Sequence, residues 1–411
     1  MPANFNSKPK PKDRNFLRLL HLVWEPPTRV VGGMGIAVAN LCRSLEKHTN
    51  VGVTVMSPSA QVGQDITNVS SYDLGINQDE ALQIQDGVDQ LRGLTGVDGV
   101  VAQFIREVDI ALRSGMHGEV PRYSVVHAHD WMTAAAGVCV KRTLGVPLIL
   151  HIHSTQFDRE GAQSQGALFS HEKWAMEQAD VIVAVSHYTK DIITEFYGIR
   201  ADKVRVVWNA SSSFSGERGS VFVNSYSSMG AVSDSSLVLF AGRLVDQKYP
   251  ELAIEIMVRA LKRVPSARGV IAGGGDKLES IRKLIDFKGM RDRIEVLGSV
   301  PQENMATLYR AASVLLVPSL SEPFGLVALE AARGGAAVML SDRCGVSEIL
   351  KSAKVTELRD LDGWVDGVVK FLKSSELCDE QVKNQNEDLK DYSWDAASAE
   401  VLSVVRELLQ R

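Results

Sequence analysis

Cysteine is scarce in this chain. Cys42, Cys139, Cys344 and Cys378 lie far apart with no paired spacing, which argues against a disulfide framework or a cysteine zinc site and for a reducing, cytoplasmic setting. Long apolar runs are missing too: none reaches the ~20 residues that a membrane span needs. Charge of one sign is not concentrated. The net charge is −5 and the basic residues are scattered, which excludes an electrostatic footprint for nucleic acid. There is no Gly-x-Ser-x-Gly, no P-loop and no cysteine–histidine nucleophile arrangement, and the glycine turn near residue 32 lacks the full dinucleotide spacing. Residues 1–15 are rich in Lys and Pro without an apolar core, so a disordered leader is expected rather than a signal peptide or anchor. Without a secretory signal, the Asn-x-Ser/Thr triplets at Asn68 and Asn209 are chance.

What is present is alternation. A chain of 411 residues fits two domains of about 150–200 residues each, and short apolar runs alternate with amphipathic helical stretches, the pattern of parallel sheets wrapped by helices. The runs predict strands at residues 17–24, 51–56, 125–127, 148–151, 181–185 and 204–208, then at 237–241, 269–272, 294–297, 314–317 and 337–340. Helices are expected over 35–48 and from about residues 250, 277, 301 and 325. Val97, Val100, Val101, Phe104, Ile105 and Val108 share one helical face inside 57–122, an elaboration whose earlier part is too polar to place. The expected organisation is an α/β fold with a Rossmann-like domain over 16–212, a Ser-rich linker over 213–236, a second Rossmann-like domain over 237–392, and a closing helix over 393–411 that returns to the first domain. Two doubly wound halves facing a central cleft place ligands at the carboxyl ends of their strands.

Four stretches carry chemistry. In Ser321-Glu322-Pro323-Phe324-Gly325-Leu326-Val327-Ala328-Leu329-Glu330, a strand runs through a tight turn into a helix whose first N–H groups suit an anion. Glu322 stands before that helix and Glu330 over a turn inside it. In Gly242-Arg243-Leu244-Val245-Asp246-Gln247-Lys248, two cations follow a strand end, both expected to be exposed, where they can stabilise charge on a leaving phosphate. The turn Val30-Val31-Gly32-Gly33-Met34-Gly35 lets backbone approach a phosphate or a sugar. Histidines cluster in His127-Ala128-His129-Asp130-Trp131 and His151-Ile152-His153. Residues two apart on a strand face one side; His127 and His151 belong to the strands and His153 points into the cleft. Metal binding is set aside because no acidic or cysteine ligand accompanies them in the usual spacing. Two further segments are weaker: Gly273-Gly274-Gly275-Asp276 is a nucleotide-facing turn or simple punctuation, and Asp360-Leu361-Asp362 caps a helix rather than binding metal.

In this order, from Val23 to Val405, the segments resemble the retaining glycosyltransferases of group 1, family 4, with the GT-B fold. Ser186-His187-Tyr188 and Tyr392-Ser393-Trp394 are similar to that family's second-helix start and closing-helix start. The glycine loop and His-Asp-Trp segment are similar to glycogen and starch synthases. Three departures stand out. Val30 replaces a Lys before the glycines, Trp208-Asn209-Ala210 replaces the common His-Asn-Gly at the hinge, and no Gly-rich return strand follows Gly345-Val346-Ser347-Glu348.

The resemblance implies a nucleotide diphosphate sugar as donor, a sugar or other hydroxyl compound as acceptor, and no metal or other cofactor. Arg243 and Lys248 would bind the diphosphate and Glu322 the donor sugar. Amides from Phe324 through Gly325, Leu326 and Val327 would meet sugar or phosphate oxygens, with Gly33 also on the donor side, and Glu330 would hold the ribose. His153 would sit beside the anomeric carbon, with His129, Asp130 and Trp131 on the acceptor side. A nucleotide-sugar-binding partner or regulator that has lost catalysis, and a nucleotide-sugar epimerase of the same architecture, are the other readings of these residues.

Overall fold

The structure, a computed structural model, describes residues 16–25, 32–58, 97–114, 122–211 and 237–411. Val30, Val31, Asn68, the leader and the Ser-rich linker lie outside them, as does most of the polar stretch before Val97.

The chain divides into two compact units. The first comprises the chain to Asn209 together with Trp394–Arg411, and the second is Ala210–Ser393. Among the described residues, each is built on a six-stranded, wholly parallel sheet. In the first unit the strands are β1 (Leu17–Leu22), β2 (Val51–Met56), β3 (Val125–His129), β4 (Leu148–Ile152), β5 (Val181–Ala184) and β6 (Val204–Val206), in the order β2-β1-β3-β4-β5-β6. In the second they are β7 (Leu237–Ala241), β8 (Arg268–Ala272), β9 (Ile294–Gly298), β10 (Val314–Val317), β11 (Ala337–Ser341) and β12 (Lys354–Thr356), in the order β12-β11-β10-β7-β8-β9. Each sheet therefore reverses its winding once, between β1 and β3 and between β7 and β10. Ligands bind at such switch points, outside the carboxyl ends of the strands. This is the α/β, doubly wound arrangement that the alternating runs predict.

Strands buried on both faces read as continuous apolar runs, and β3, β4, β7 and β11 have every residue buried. On one face of the first sheet, Val101, Phe104, Ile105 and Val108 of the helix Val97–Ser114 pack with Ala134, Val138 and Leu150. On the other face, Val38, Leu41 and Leu45 of the helix Gly33–Leu45 meet Val401, Leu402 and Val405 of the C-terminal helix Trp394–Leu409. That helix is fastened at its first turn, where Asp395 accepts from Ser44 Oγ and pairs with Lys47 Nζ. The second unit has its own core, in which Ile254, Met257 and Leu261 of the helix Pro250–Arg263 pack with Trp364 and Val368.

Two expectations are refined. No Gly-rich return strand follows Gly345–Glu348, but a short one of other composition does: Lys354-Val355-Thr356 pairs with Met339–Ser341. It contains no glycine and only three residues, two of them polar, so no apolar run marks it. β3 also continues to His129, and a helix begins at the next residue, Asp130. Asp360 does act as a cap, its Oδ1 accepting from Gly363 N at 2.9 Å.

Candidate active site

In the second unit, the loops that leave β7 and β10 are stitched to each other. Gln247 Nε2 donates to Ser321 O at 2.9 Å, and Leu320 N donates to Gln247 O at 2.8 Å. This brings Lys248 against Glu322 in an ion pair, and Ser319 Oγ donates to the same carboxylate oxygen at 3.1 Å. Both were expected at the site, but Lys248 was expected to be exposed. Instead its side chain is 19% exposed and that of Glu322 only 7%, because the stitched loops close over the pair. Arg243 is exposed, with no side-chain partner among the described residues.

The Glu322 segment is held in an irregular path by backbone bonds: Glu322 N donates to Arg343 O, Gly345 N to Glu322 O and Val346 N to Phe324 O. The chain then turns into the helix Leu326–Arg333 through Gly325, at φ 108°. A Cβ there would lie 3.2 Å from Glu322 Cγ in a conformation that side chains disfavour, so glycine is required. In the first turn of that helix Ala328 N donates to Gly325 O at 3.0 Å, while the N–H groups of Leu326 and Val327 come too early to reach an acceptor within the helix. Inside the helix, Glu330 accepts from Tyr309 OH at 2.9 Å and from Gln302 Nε2 at 3.0 Å. Burial raises its pKa, and those two bonds hold it back. Cys344 bridges to Glu322, but burial pushes its thiol up to about 12, which leaves it unsuited as a nucleophile.

The glycine cluster Gly273-Gly274-Gly275 packs backbone on backbone. Leu244 N donates to Gly274 O, and a Cβ on Gly273 would fall 1.8 Å from Gly242 O. These glycines hold the Arg243 loop against the β8 loop. Just after Lys248, Tyr249 takes a left-handed conformation, φ 50° and ψ 55°, before Pro250 opens the next helix. Such a backbone costs a bulky residue roughly 1–2 kcal/mol.

The first unit gathers imidazoles. The parallel register sets His21 opposite His127, and His129 opposite His151. With His153 just beyond β4, five rings lie against one another across three adjacent strands at centroid distances of 4.4–5.3 Å. His127 and His151 lie in the strands as expected. His129 is fully buried and reaches the partly exposed His153 through a 3.0 Å contact between ring nitrogens. His21 carries no local signal, since it stands alone inside an apolar strand; only the alternation of His127 with His129 hints that a third strand could continue the row. Burial holds all five rings well below the usual histidine range, His21 and His153 to about 3. Two sets of three, His21/His127/His129 and His129/His151/His153, bring their ring nitrogens within 4.8 Å. Imidazole alone is a metal ligand, so the lack of acidic companions in sequence does not by itself rule a metal out.

Asp130 opens its helix at φ 56°, and its Oδ1 accepts from His153 N at 2.6 Å and from Ser154 N at 3.4 Å. Burial raises its pKa to about 7, opposed by those bonds. The partly exposed Trp131 shares its carbonyl with His171 Nε2 at 3.0 Å. Beside them Glu172, also raised to about 7 by burial, takes Gln156 N, Arg159 and the Tyr197 hydroxyl. Gly33 is the exposed first residue of its helix, where Gly32 N donates to Glu25 Oε2 at 3.1 Å.

Residues 31–210 match the model for Glycosyltransferase Family 4, and residues 227–388 match the model for Glycosyl transferases group 1. The chain belongs to the group 1, family 4 glycosyltransferases. An uncharacterized glycosyltransferase of Methanocaldococcus jannaschii is 28% identical over 95% of this chain and 98% of its own length. Among solved structures, sucrose-phosphate synthase from Thermosynechococcus elongatus superposes with a TM-score of 0.72 at 19% identity, covering 96% of this glycosyltransferase and 99% of that chain. The catalytic domain of starch synthase IV from Arabidopsis thaliana gives 0.66 at 15% identity, covering 97% and 100%. The two likenesses in structure make the fold GT-B. Among the described residues, no helix of the enzyme is long and apolar enough to cross a membrane.

Proposed function

We propose that this glycosyltransferase moves a hexose from a nucleotide diphosphate sugar to a carbohydrate or other hydroxyl acceptor with retention of the anomeric configuration, the second unit holding the donor and the first the acceptor. The observation that carries this is the Lys248–Glu322 pair beside exposed Arg243 at the β7/β10 switch point. Cleavage of the bond from the anomeric carbon to the diphosphate builds negative charge on the departing oxygen. Arg243, Lys248 and the first-turn amides near Gly325–Val327 are fixed donors that favour that charge. Glu322 fixes the Lys248 ammonium and uses its remaining lone pairs for a sugar hydroxyl, while Glu330 accepts from the ribose. A chain related in fold, the starch synthase IV domain, was solved with ADP and acarbose, a nucleotide and a carbohydrate together.

In the proposed front-face course, the acceptor hydroxyl oxygen bonds to the anomeric carbon as the bond to phosphate breaks, and the leaving phosphate oxygen takes the hydroxyl proton. His153 stands beside the reacting carbon, and Trp131 and Gly33 border the ligands. His129 acts through His153, and Asp130 through its hold on the His153 backbone. The positive charge comes from side chains and helix rather than from a bound metal. The four cysteines are free and buried, in keeping with a reducing cytoplasm.

The test sets steady-state transfer, with EDTA throughout, beside calorimetric binding of nucleoside diphosphates. Glu322→Ala is expected to lower turnover on the order of 100-fold with little change in nucleotide affinity, since contacts that strengthen in the transition state register in the rate. Glu330→Ala is expected to weaken nucleotide binding by roughly 1–3 kcal/mol. Absence of transfer to any acceptor, or complete loss in EDTA reversed by one divalent ion, overturns the proposal.

A further inference from the structure

Three of the five imidazoles form one continuous row. His21 Nδ1 faces His129 Nε2 at 3.1 Å, and His129 Nδ1 faces His153 Nε2 at 3.0 Å. The centroids of each pair are 5.3 Å apart and the rings are inclined by only 21° and 29°, so these contacts run nearly in the ring planes, as hydrogen bonds between imidazoles do. His127 Nε2 and His151 Nδ1 make a second, shorter row at 3.2 Å, stacked on the first through His127–His129 at 4.6 Å and His151–His153 at 4.4 Å. At the ends of the long row, His21 Nε2 and His153 Nδ1 are buried without a partner among the described residues.

A neutral imidazole carries one N–H and one lone pair, and two nitrogens in contact hold one proton between them. The long row therefore has two good states. With every ring protonated at Nε2, His153 offers a bare Nδ1 lone pair; with every ring protonated at Nδ1, it offers an N–H. Any mixed state sets two protons or two lone pairs face to face. Burial keeps the rings neutral, so the row is a poor sink for a substrate proton: passing one inward would leave a buried imidazolium. Nor do the facing lone pairs make a metal seat. An ion about 2.0 Å from both nitrogens of a 3.0 Å pair, the length of a metal–imidazole bond, would have to sit off the line joining them, away from the direction in which both lone pairs point.

We propose that His21 and His129 are positioning residues that, through this hydrogen-bonded row, set the tautomer and ring orientation of His153, and so decide whether its Nδ1, enclosed in this structure, is an acceptor or a donor when a sugar hydroxyl reaches it. The catalytic half of this inference rests on the proposed placement of His153 beside the reacting carbon; the row itself does not.

The experiment is nitrogen NMR of the full chain labelled with 15N-histidine, without substrate, between pH 6 and 8. In the wild type, His153 is expected to show one protonated and one bare nitrogen. His21→Phe keeps the stacked ring but removes the row's end, and is expected to give His153 nitrogens averaged between tautomers. His21→Asn, whose amide can stand at the Nδ1 position, is expected to restore the single tautomer. In transfer assays kcat is expected to fall roughly tenfold or more in His21→Phe, as when a catalytic histidine is held in the wrong tautomer, with donor KM unchanged and recovery in His21→Asn. An averaged His153 in the wild type, an unaltered His153 in His21→Phe, or a shift of all three imidazoles on adding one equivalent of Zn²⁺ overturns the proposal. If the tautomer responds and kcat does not, the row stands and the placement of His153 at the reacting carbon falls.

Discussion

The two units put opposite chemistry at the same topological place. At the β1/β3 switch point, the first unit collects neutral, fully enclosed imidazoles and tethers His153 through the buried Asp130 carboxylate. At the β7/β10 switch point, the second unit keeps formal charge: a mostly covered Lys248–Glu322 pair and an exposed Arg243. The proposed transfer uses both. A leaving diphosphate needs fixed positive charge, whereas an attacking hydroxyl needs directional hydrogen bonds that do not trap its proton. Asp130 and Tyr249 are the only non-glycine residues at positive φ among those described, one in each unit and each adjoining a proposed site residue, as expected where function outranks backbone comfort.

The contrast is sharpest in the cations. Arg243→Ala is expected to lower kcat/KM on the order of 100-fold and to leave stability within about 0.5 kcal/mol, since its side chain is exposed. Lys248→Ala is expected to lose turnover by a similar factor and also about 3 kcal/mol of stability, because it leaves the Glu322 carboxylate buried and unpaired. Steady-state kinetics beside urea unfolding separate the two, and equal stability in both variants removes the covered ion pair from the account.

Acid probes the first unit. The five imidazoles stay neutral when folded but take up protons in the unfolded chain near its ordinary 6.5. The unfolded state therefore binds more protons below that pH, and stability falls as pH drops, by up to about 1.4 kcal/mol per pH unit for each ring. Asp130 and Glu172, raised to about 7, act the other way. They bind protons more tightly when folded and add stability as pH falls from 7 towards 4. Five rings outweigh two carboxyls, so urea midpoints are expected to be lower at pH 5 than at pH 7.5, with a shallower slope in His127→Phe. A higher midpoint at pH 5 contradicts the neutral row.

The smallest effect concerns the two left-handed residues. Tyr249→Gly is expected to gain about 0.5–1 kcal/mol, because relief of strain exceeds the entropy that glycine adds to the unfolded chain. Asp130→Gly is expected to lose stability, because its carboxylate holds two backbone N–H groups. Thermal unfolding of both variants checks the pair.

Most of the fold was legible because strands buried on both faces announce themselves as apolar runs, as β7 and β10 do. β12 was not, since three residues including Lys354 and Thr356 carry no such signal. The loop segments of the site were legible from their position after strands, but their pairings were not. Lys248 meets Glu322 only because β7 lies beside β10, and His21 joins the histidines only because β1 lies beside β3. Strand order is a long-range property that no local window contains. Side-chain cover is equally non-local, which is why Lys248 was expected to be exposed.

The return of the last helix to the first unit has a consequence for how the protein is made. Val401, Leu402 and Val405 complete an apolar face whose other half, Val38, Leu41 and Leu45, is translated near the start. The ribosome must produce all of Ala210–Ser393 between the two halves, a delay on the order of ten seconds or more at ordinary elongation rates. During that interval the second unit can finish its own core, while the nascent first unit displays an uncovered hydrophobic strip. The early helix is thus the segment of the newborn chain most in need of a chaperone, and the second unit the first to be safe from one.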